Sequence, residues 1–421
     1  VSFILNPYRY GSGVAPSDAP GALVYLSADS TTSPIPFDGE VYDTGNWHSG
    51  TNPSRLTMPS TVTVARVIAN QQQSSGTPQS AAHQLNGSPF RGRGQARTLF
   101  SGNERVNLCS ALIPVATSDY FETATGVTTS VGAINTWFAA EKVASTLKRA
   151  LVYRSSTLVL SSGVNTTLGF DSEVYDTDAF HDTVTNNSRL TVPSGVSLVR
   201  ILLNVETGNA GGQAVINCTK NGAAFAGGFA RDIEVGATSN YLNGVSAPIE
   251  VAAGDFFEAQ IQTSGAATVQ ADESTWFAIE EVPSTYKRCL AVRTGTQAIS
   301  ANTPTAITWT GTDIYDADGM HDPASNSDRI TVPSGVTEAR ASFNIQGPSS
   351  AASVSGWVTL NGNQYYGAPD AGTDTTASDS IGGIGAWVPV SSGDIFRCVI
   401  NATVGLTLGA NNQLWFCVEC R

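Results

Sequence analysis

From about residue 20 onward the chain alternates short apolar runs with clusters of Gly, Pro, Ser, Asn and Asp. These turn clusters return every ten or so residues, the spacing of short strands in a sandwich rather than of helices. Residues 190–205, LTVPSGVSLVRILLNV, alternate on either side of a Pro-Ser-Gly turn, and 274–282, STWFAIEEV, read as a closing strand. Residues 247–263, APIEVAAGDFFEAQIQT, predict a hairpin around Ala252-Ala253-Gly254-Asp255. Helical periodicity is almost absent.

The same pattern occurs three times. Residues 40–60 read EVYDTGNWHSGTNPSRLTMPS, 173–195 EVYDTDAFHDTVTNNSRLTVPSG and 313–335 DIYDADGMHDPASNSDRITVPSG. A later block reads SDYFETA, GDFFEAQ and GDIFRCV, and a last one TWFAAEKV, TWFAIEEV and LWFCVEC. Trp137, Trp276 and Trp415 are each separated by 139 residues. The register divides the chain into an arm, 1–19, and three copies at 20–145, 146–284 and 285–421. The middle of the first copy, residues 71–100, has no close match in the others.

Composition agrees with strands. The chain is 41% hydrophobic with 41 Gly and 19 Pro, and Val, Thr and Ser suit a pleated surface. The formal charge of −13 opposes nucleic acid or an anionic membrane as principal partner. No apolar run is long enough to span a bilayer. The start, VSFILNPYRYGSG, lacks the basic segment of a signal peptide. The six cysteines stand at unmatched places in the copies, so they read as buried free thiols rather than a repeated disulfide or metal framework.

The Tyr-Asp segment, the Arg-Leu-Thr-Val-Pro-Ser-Gly-Val turn and the Gly-Asp-aromatic turn together resemble the tumour-necrosis-factor-like jelly roll. The complement globular head is similar, as are the modules of tailed-bacteriophage virion proteins such as head fibres, decoration and tail-associated proteins. The resemblance covers nearly the whole chain and implies three tandem antiparallel jelly rolls that bind ligands without chemistry. It also implies a virion-surface location with assembly in the bacterial cytoplasm. Other virion proteins and host-surface polysaccharide or lipopolysaccharide are the implied partners, either as a homo-oligomer or as an intrachain pseudo-trimer.

Topology bears on that last point. The joints offer about six free residues, at most roughly 20 Å of extended chain. In a jelly roll of the kind the resemblance implies, the first and last strands are antiparallel neighbours, so each copy is entered and left at the same end. Both favour copies lying side by side, an arrangement that could close into a threefold-like head within one chain. The alternative is a row of copies, each trimerising with its counterpart in other chains.

Candidate sites have competing readings. His181-Asp182 and His321-Asp322 form a potential general-base pair, but the first copy has His48-Ser49 and no nucleophile recurs beside it. The reading is therefore no enzyme and no cofactor, with His and Arg satisfying carbonyls of a long connection. Asp176, Asp178 and Asp182, matched by Asp316, Asp318 and Asp322, are calcium candidates or turn caps. Arg91, Arg93, Arg97 and Arg105 gather positive charge in an acidic chain and are candidates for an anionic ligand. Phe3, Ile4, Leu5, Tyr8 and Tyr10 belong to no copy and are expected to anchor the arm to a partner. A non-enzymatic attachment protein is the expectation. A secreted or cell-surface lectin-like module and a glycan depolymerase are the alternatives.

Overall fold

The computed structural model describes residues 21–73, 80–97, 104–125, 131–208, 212–235, 240–346, 352–375, 380–409 and 413–421. The anchoring residues Phe3, Ile4, Leu5, Tyr8 and Tyr10 lie outside them, as does the side chain of Arg97. Every described strand pair is antiparallel, and the described residues contain no helix.

Each copy folds into two facing sheets. In the first copy one sheet runs Gly39–Asp43, Gly21–Tyr25, Val131–Lys142, Val64–Gln73, Glu104–Cys109. The other runs Leu56–Thr57, Tyr120–Thr125, Ser80–Leu85, Gln95–Arg97. The second copy repeats this order with Ser172–Asp176, Arg149–Tyr153, Trp276–Glu281, Leu198–Gly208, Asn240–Val245. Its facing sheet is Arg189–Thr191, Phe256–Thr263, Gly212–Lys220, Ala230–Val235. The third copy begins with Tyr315–Asp316, Lys287–Val292, Trp415–Cys420, Glu338–Gln346, Ser380–Ile384. Its second sheet is Ile330–Thr331, Ile395–Ala402, Ala352–Leu360, Asp370–Thr375. This is the two-sheet jelly-roll sandwich. Among the described residues all strands pair within their own copy except for one bridge, Gly372 to Arg105, which joins the third copy to the first.

The expected hairpin at Ala252–Asp255 is corrected. The turn is present, with Gly254 at φ +90° and Asp255 N–H donating to the Ala252 carbonyl. Its flanks, however, enter different sheets: Ile249–Glu250 pairs with Leu198–Gly208, and Phe256–Thr263 with Gly212–Lys220. A short alternating segment on each side of a turn has the same pattern whether the chain folds back or crosses the sandwich. Crossing wins because each flank finds a longer apolar partner in a separate layer.

The unmatched middle of the first copy also finds its counterparts. Leu85-Asn86-Gly87, Lys220-Asn221-Gly222 and Leu360-Asn361-Gly362 turn identically, with the asparagines at φ +52° to +53° and the glycines at +76° to +80°. Asn-Gly tolerates two successive positive φ values, the requirement of a tight hairpin turn. In every copy the Asn side chain also reaches the Asp of the next turn, at 2.7–2.8 Å.

On the closing strand, side chains alternate between two kinds of interior. Phe138, Phe277 and Phe416 face inward and stack on Phe37, Phe170 and Trp309 at 5.5–5.8 Å. The tryptophans next to them face outward, yet they are fully buried. What covers them is another copy.

Candidate functional site

The long strand opposite the closing strand carries an arginine inside an otherwise buried run: Arg66, Arg200 and Arg340. Register sets each directly against a glutamate of its own copy: Arg66 against Glu141, Arg200 against Glu280, Arg340 against Glu419. All six are at most 9% exposed. Isolated charges at that depth cost several kcal/mol each, so they persist only when paired.

They are paired twice over. Within the copies, Arg66 meets Glu141 at 3.0 Å, Arg200 meets Glu280 at 3.2 Å and Arg340 meets Glu419 at 3.1 Å. Between copies, Arg66 reaches Glu280, Arg200 reaches Glu419, and Arg340 reaches Glu141 at 3.2 Å. The contacts close a ring of alternating charge, Arg66–Glu280–Arg200–Glu419–Arg340–Glu141. Burial alone would raise the Glu419 carboxyl, but Arg200 and Arg340 outweigh it and hold it down to about 2. Glu141 is likewise held down against burial by Arg340 and Arg66.

The seams around the ring repeat in the same cyclic order. Trp137 Nε1 donates to the Ala368 carbonyl at 3.0 Å, Trp276 to that of Arg93 at 2.9 Å and Trp415 to that of Gly228 at 2.5 Å. Tyr42, Tyr175 and Tyr315 donate their hydroxyls to the carbonyls of Trp387, Leu112 and Pro248. Close approach needs a glycine: a Cβ on Gly92 would fall 2.8 Å from Leu151 Cδ2, in a backbone already at φ +89°. Gly227 and Gly367 meet Leu290 and Leu23 in the same way. First contacts third, second contacts first and third contacts second.

The arginine cluster is dispersed into these seams. Arg91 donates to the Asp272 carbonyl at 3.1 Å and lies 3.6 Å over the ring of Tyr153. Arg93 donates to Ser274 Oγ at 2.9 Å, whereas Arg105 pairs with Asp370 at 3.1 Å. Two therefore hold the second copy and one the third, and their charges do not converge on a common exposed surface. Density of positive charge along a sequence says nothing about direction, and these side chains diverge.

The His-Asp loops are clips. His48 Nδ1 sits 2.7 Å from Glu40 and Nε2 3.2 Å from the Pro53 carbonyl. His181 repeats this with Glu173 at 2.9 Å and the Asn187 carbonyl at 3.2 Å. Asp176 and Asp316 accept the N–H groups of the residues that follow them, Phe180 and His181 in one copy, Met320 and His321 in the other. Asp182 and Asp322 cap their own turns, and Asp178 and Asp318 pair with Lys148 and Lys287 at 3.2 Å. The six calcium candidates are thus turned toward separate partners, and no group of them shares a centre among the described residues. All six cysteines are free and buried.

The ring was missed in the sequence, although its signal is there: Arg in VARV, LVRI and EARA, and Glu after each Trp-Phe block, recur in every copy. A charge at an apolar strand position that repeats with the fold has a partner that repeats too.

No family model matches the chain, and no curated protein matches it. Among solved structures the chain is similar to one from the atomic structure of Sulfolobus turreted icosahedral virus, at 8% identity and TM-score 0.20. That likeness covers 87% of this chain and 81% of the other. A second, from work on the triple jelly-roll fold and turret assembly of an archaeal virus, is 9% identical, with TM-score 0.20 and coverage of 87% and 80%. Likeness at that level leaves the functional reading to the geometry of the chain itself.

Proposed function

We propose that this chain is a non-enzymatic structural protein of a virion, in which three jelly-roll modules close into one head within a single polypeptide. The observation that carries it is the closed Arg–Glu ring with its three equivalent seams. Every repeated ionisable group described above serves closure or turn stability, so the repetition maintains a scaffold. A scaffold of this kind presents three related outer surfaces in fixed geometry, which suits attachment or decoration by avidity rather than by one deep site. Residues 1–19 are the proposed anchor to neighbouring virion proteins, and host-surface glycan is the proposed ligand.

Particles purified on a density gradient test this reading. The full chain should band with infectious particles, and a chain beginning at residue 21 should fold but stay at the top of the gradient. Absence of the full chain from particles overturns the virion role. Incorporation of the shortened chain overturns the anchor. Release of new reducing ends from host polysaccharide that disappears in His181→Ala or His321→Ala would overturn the non-enzymatic reading.

A further inference from the structure

The clip described above is not the same in all three copies. Strand register makes Ala22, Ala150 and Cys289 equivalent, since each is opposite the Asp of its Tyr-Asp pair. The residue two before that Tyr is Glu40, Glu173 and Asp313. Only the third copy has a thiol at the first position and the shorter carboxylate at the second, around the same imidazole.

We propose that Cys289, Asp313 and His321 form a site for a thiophilic divalent cation, of which zinc is the expected occupant. Their donor atoms all lie within 4.8 Å of one another, and they are the only such group among the described residues. Metal–sulfur bonds of about 2.3 Å and metal–nitrogen bonds of about 2.0–2.1 Å bring ligands into that range. Thiolate, imidazole and carboxylate together favour zinc over calcium or magnesium, which want oxygen donors only.

The first and second copies serve as internal controls. Their histidines are held by glutamate with an alanine where Cys289 stands, so the fold does not require the thiol. Cys289 is fully buried, the His321 side chain is 0% exposed and that of Asp313 is 11% exposed, which leaves the carboxylate edge as the way in. The His321 Nδ1 lies 2.8 and 3.0 Å from the two Asp313 oxygens, so without a cation they share a proton. Binding displaces that proton and the thiol proton, and no redox change is involved. Asp316 is not available as a ligand, because its two oxygens hold the Met320 and His321 N–H groups. A water molecule entering beside Asp313 completes the coordination.

Cobalt(II), added to the full-length chain after chelator treatment, is the probe, with zinc(II) as competitor. The expected result is one equivalent bound, with a thiolate-to-cobalt charge-transfer band and the strong visible bands of a tetrahedral site, all lost on adding zinc. Affinity should rise with pH, because two protons leave. Cys289→Ala, which installs the residue of the other two copies, should abolish the charge-transfer band while leaving the metal-free unfolding midpoint near that of the parent. Cys218→Ala in the second copy should keep the band. Failure of the parent chain to bind cobalt, binding without a charge-transfer band, or a band that survives Cys289→Ala would each overturn the site.

Discussion

Two buried regions of this chain follow opposite rules. At the ring, where the copies meet, all three contribute the same pair: Arg66 with Glu141, Arg200 with Glu280, Arg340 with Glu419. In the sandwich interiors the closing-strand Phe138, Phe277 and Phe416 are shared, but one layer of equivalent positions diverges. Gln71, His83 and Thr123 occupy the first interior where register puts Val205, Cys218 and Ala259 in the second, and Ile345, Val358 and Cys398 in the third. Gln71 and Thr123 hydrogen-bond to each other at 2.5 Å, but both ring nitrogens of His83 are buried without a partner. The difference follows from who the neighbour is. A ring residue faces another copy, so a change in one leaves a partner in the next unmatched. An interior residue faces its own copy and drifts with it.

The largest effect separates these regions directly. Arg200→Met leaves Glu280 and Glu419 facing each other without their shared cation, and removal of one partner from a buried ion network costs about 3–5 kcal/mol. Urea unfolding followed by tryptophan fluorescence should show this, because Trp276 and Trp415 sit at seams beside the ring. Replacing all six ring residues with apolar ones of similar volume should cost much less, since no charge is stranded. If the single change is as mild as the sextuple one, the ring is not a coupled unit.

The converse change should stabilise. Installing the third copy's residues in the first, Gln71→Ile with His83→Val and Thr123→Cys, removes the unpaired imidazole, for a gain of about 1–3 kcal/mol. No such gain is expected from transplanting residues between copies at the ring, where they are already identical.

Acid should take the two regions apart in sequence. Burial, with the Arg93 charge added, lowers the His83 imidazole from 6.5 to about 3. Its contribution is therefore complete above pH 6.5 and is lost as pH falls toward 3, because the unfolded chain takes up a proton that the folded one refuses. Glu419, held down to about 2, keeps the ring ionised until pH falls through that value. Stability measured across pH 7 to 3 should thus decline in the parent and decline less in His83→Val. An equal decline in both would show that the first interior is not the acid-sensitive region.

The smallest effect belongs to a feature common to all copies. Asn221→Ala removes the carboxamide that makes φ +52° tolerable, together with its hydrogen bond to Asp255, and should cost about 1–2 kcal/mol, read as a shift of the urea midpoint. Asn86→Ala and Asn361→Ala should cost the same, since the turn is local and independent of what each interior contains.

Much of the fold was legible because strand alternation and turn chemistry are local. The Tyr-Asp strands, the Pro-Ser-Gly corner and the Trp-Phe closing block could be placed from period and turn residues, and the repeat tied their register together. The Trp-Phe pair shows where that reading stopped. Alternation requires one ring to face each way without saying what covers the outward one. Phe277 fills the interior, and Trp276 donates to the Arg93 carbonyl of another copy. Hydrophobic pattern marks a face as buried without naming what buries it.

The candidate chemistry divides in the same way. That His48 and His181 brace backbone carbonyls followed from the sequence, because the need to satisfy a long connection is local. That Arg91, Arg93 and Arg105 hold two different neighbours did not, because the direction of a long side chain is set by what packs beside it. The sequence by itself determined that this is a β protein of three copies with short joints and tight Asn-Gly and Pro-Gly turns. Only the tertiary structure decided which side chains meet across copies, and that a conspicuous arginine in each long strand is one sixth of a closed ring. Pairing across more than a hundred residues leaves no trace in local period, and only the packed chain brings those charges within 4 Å.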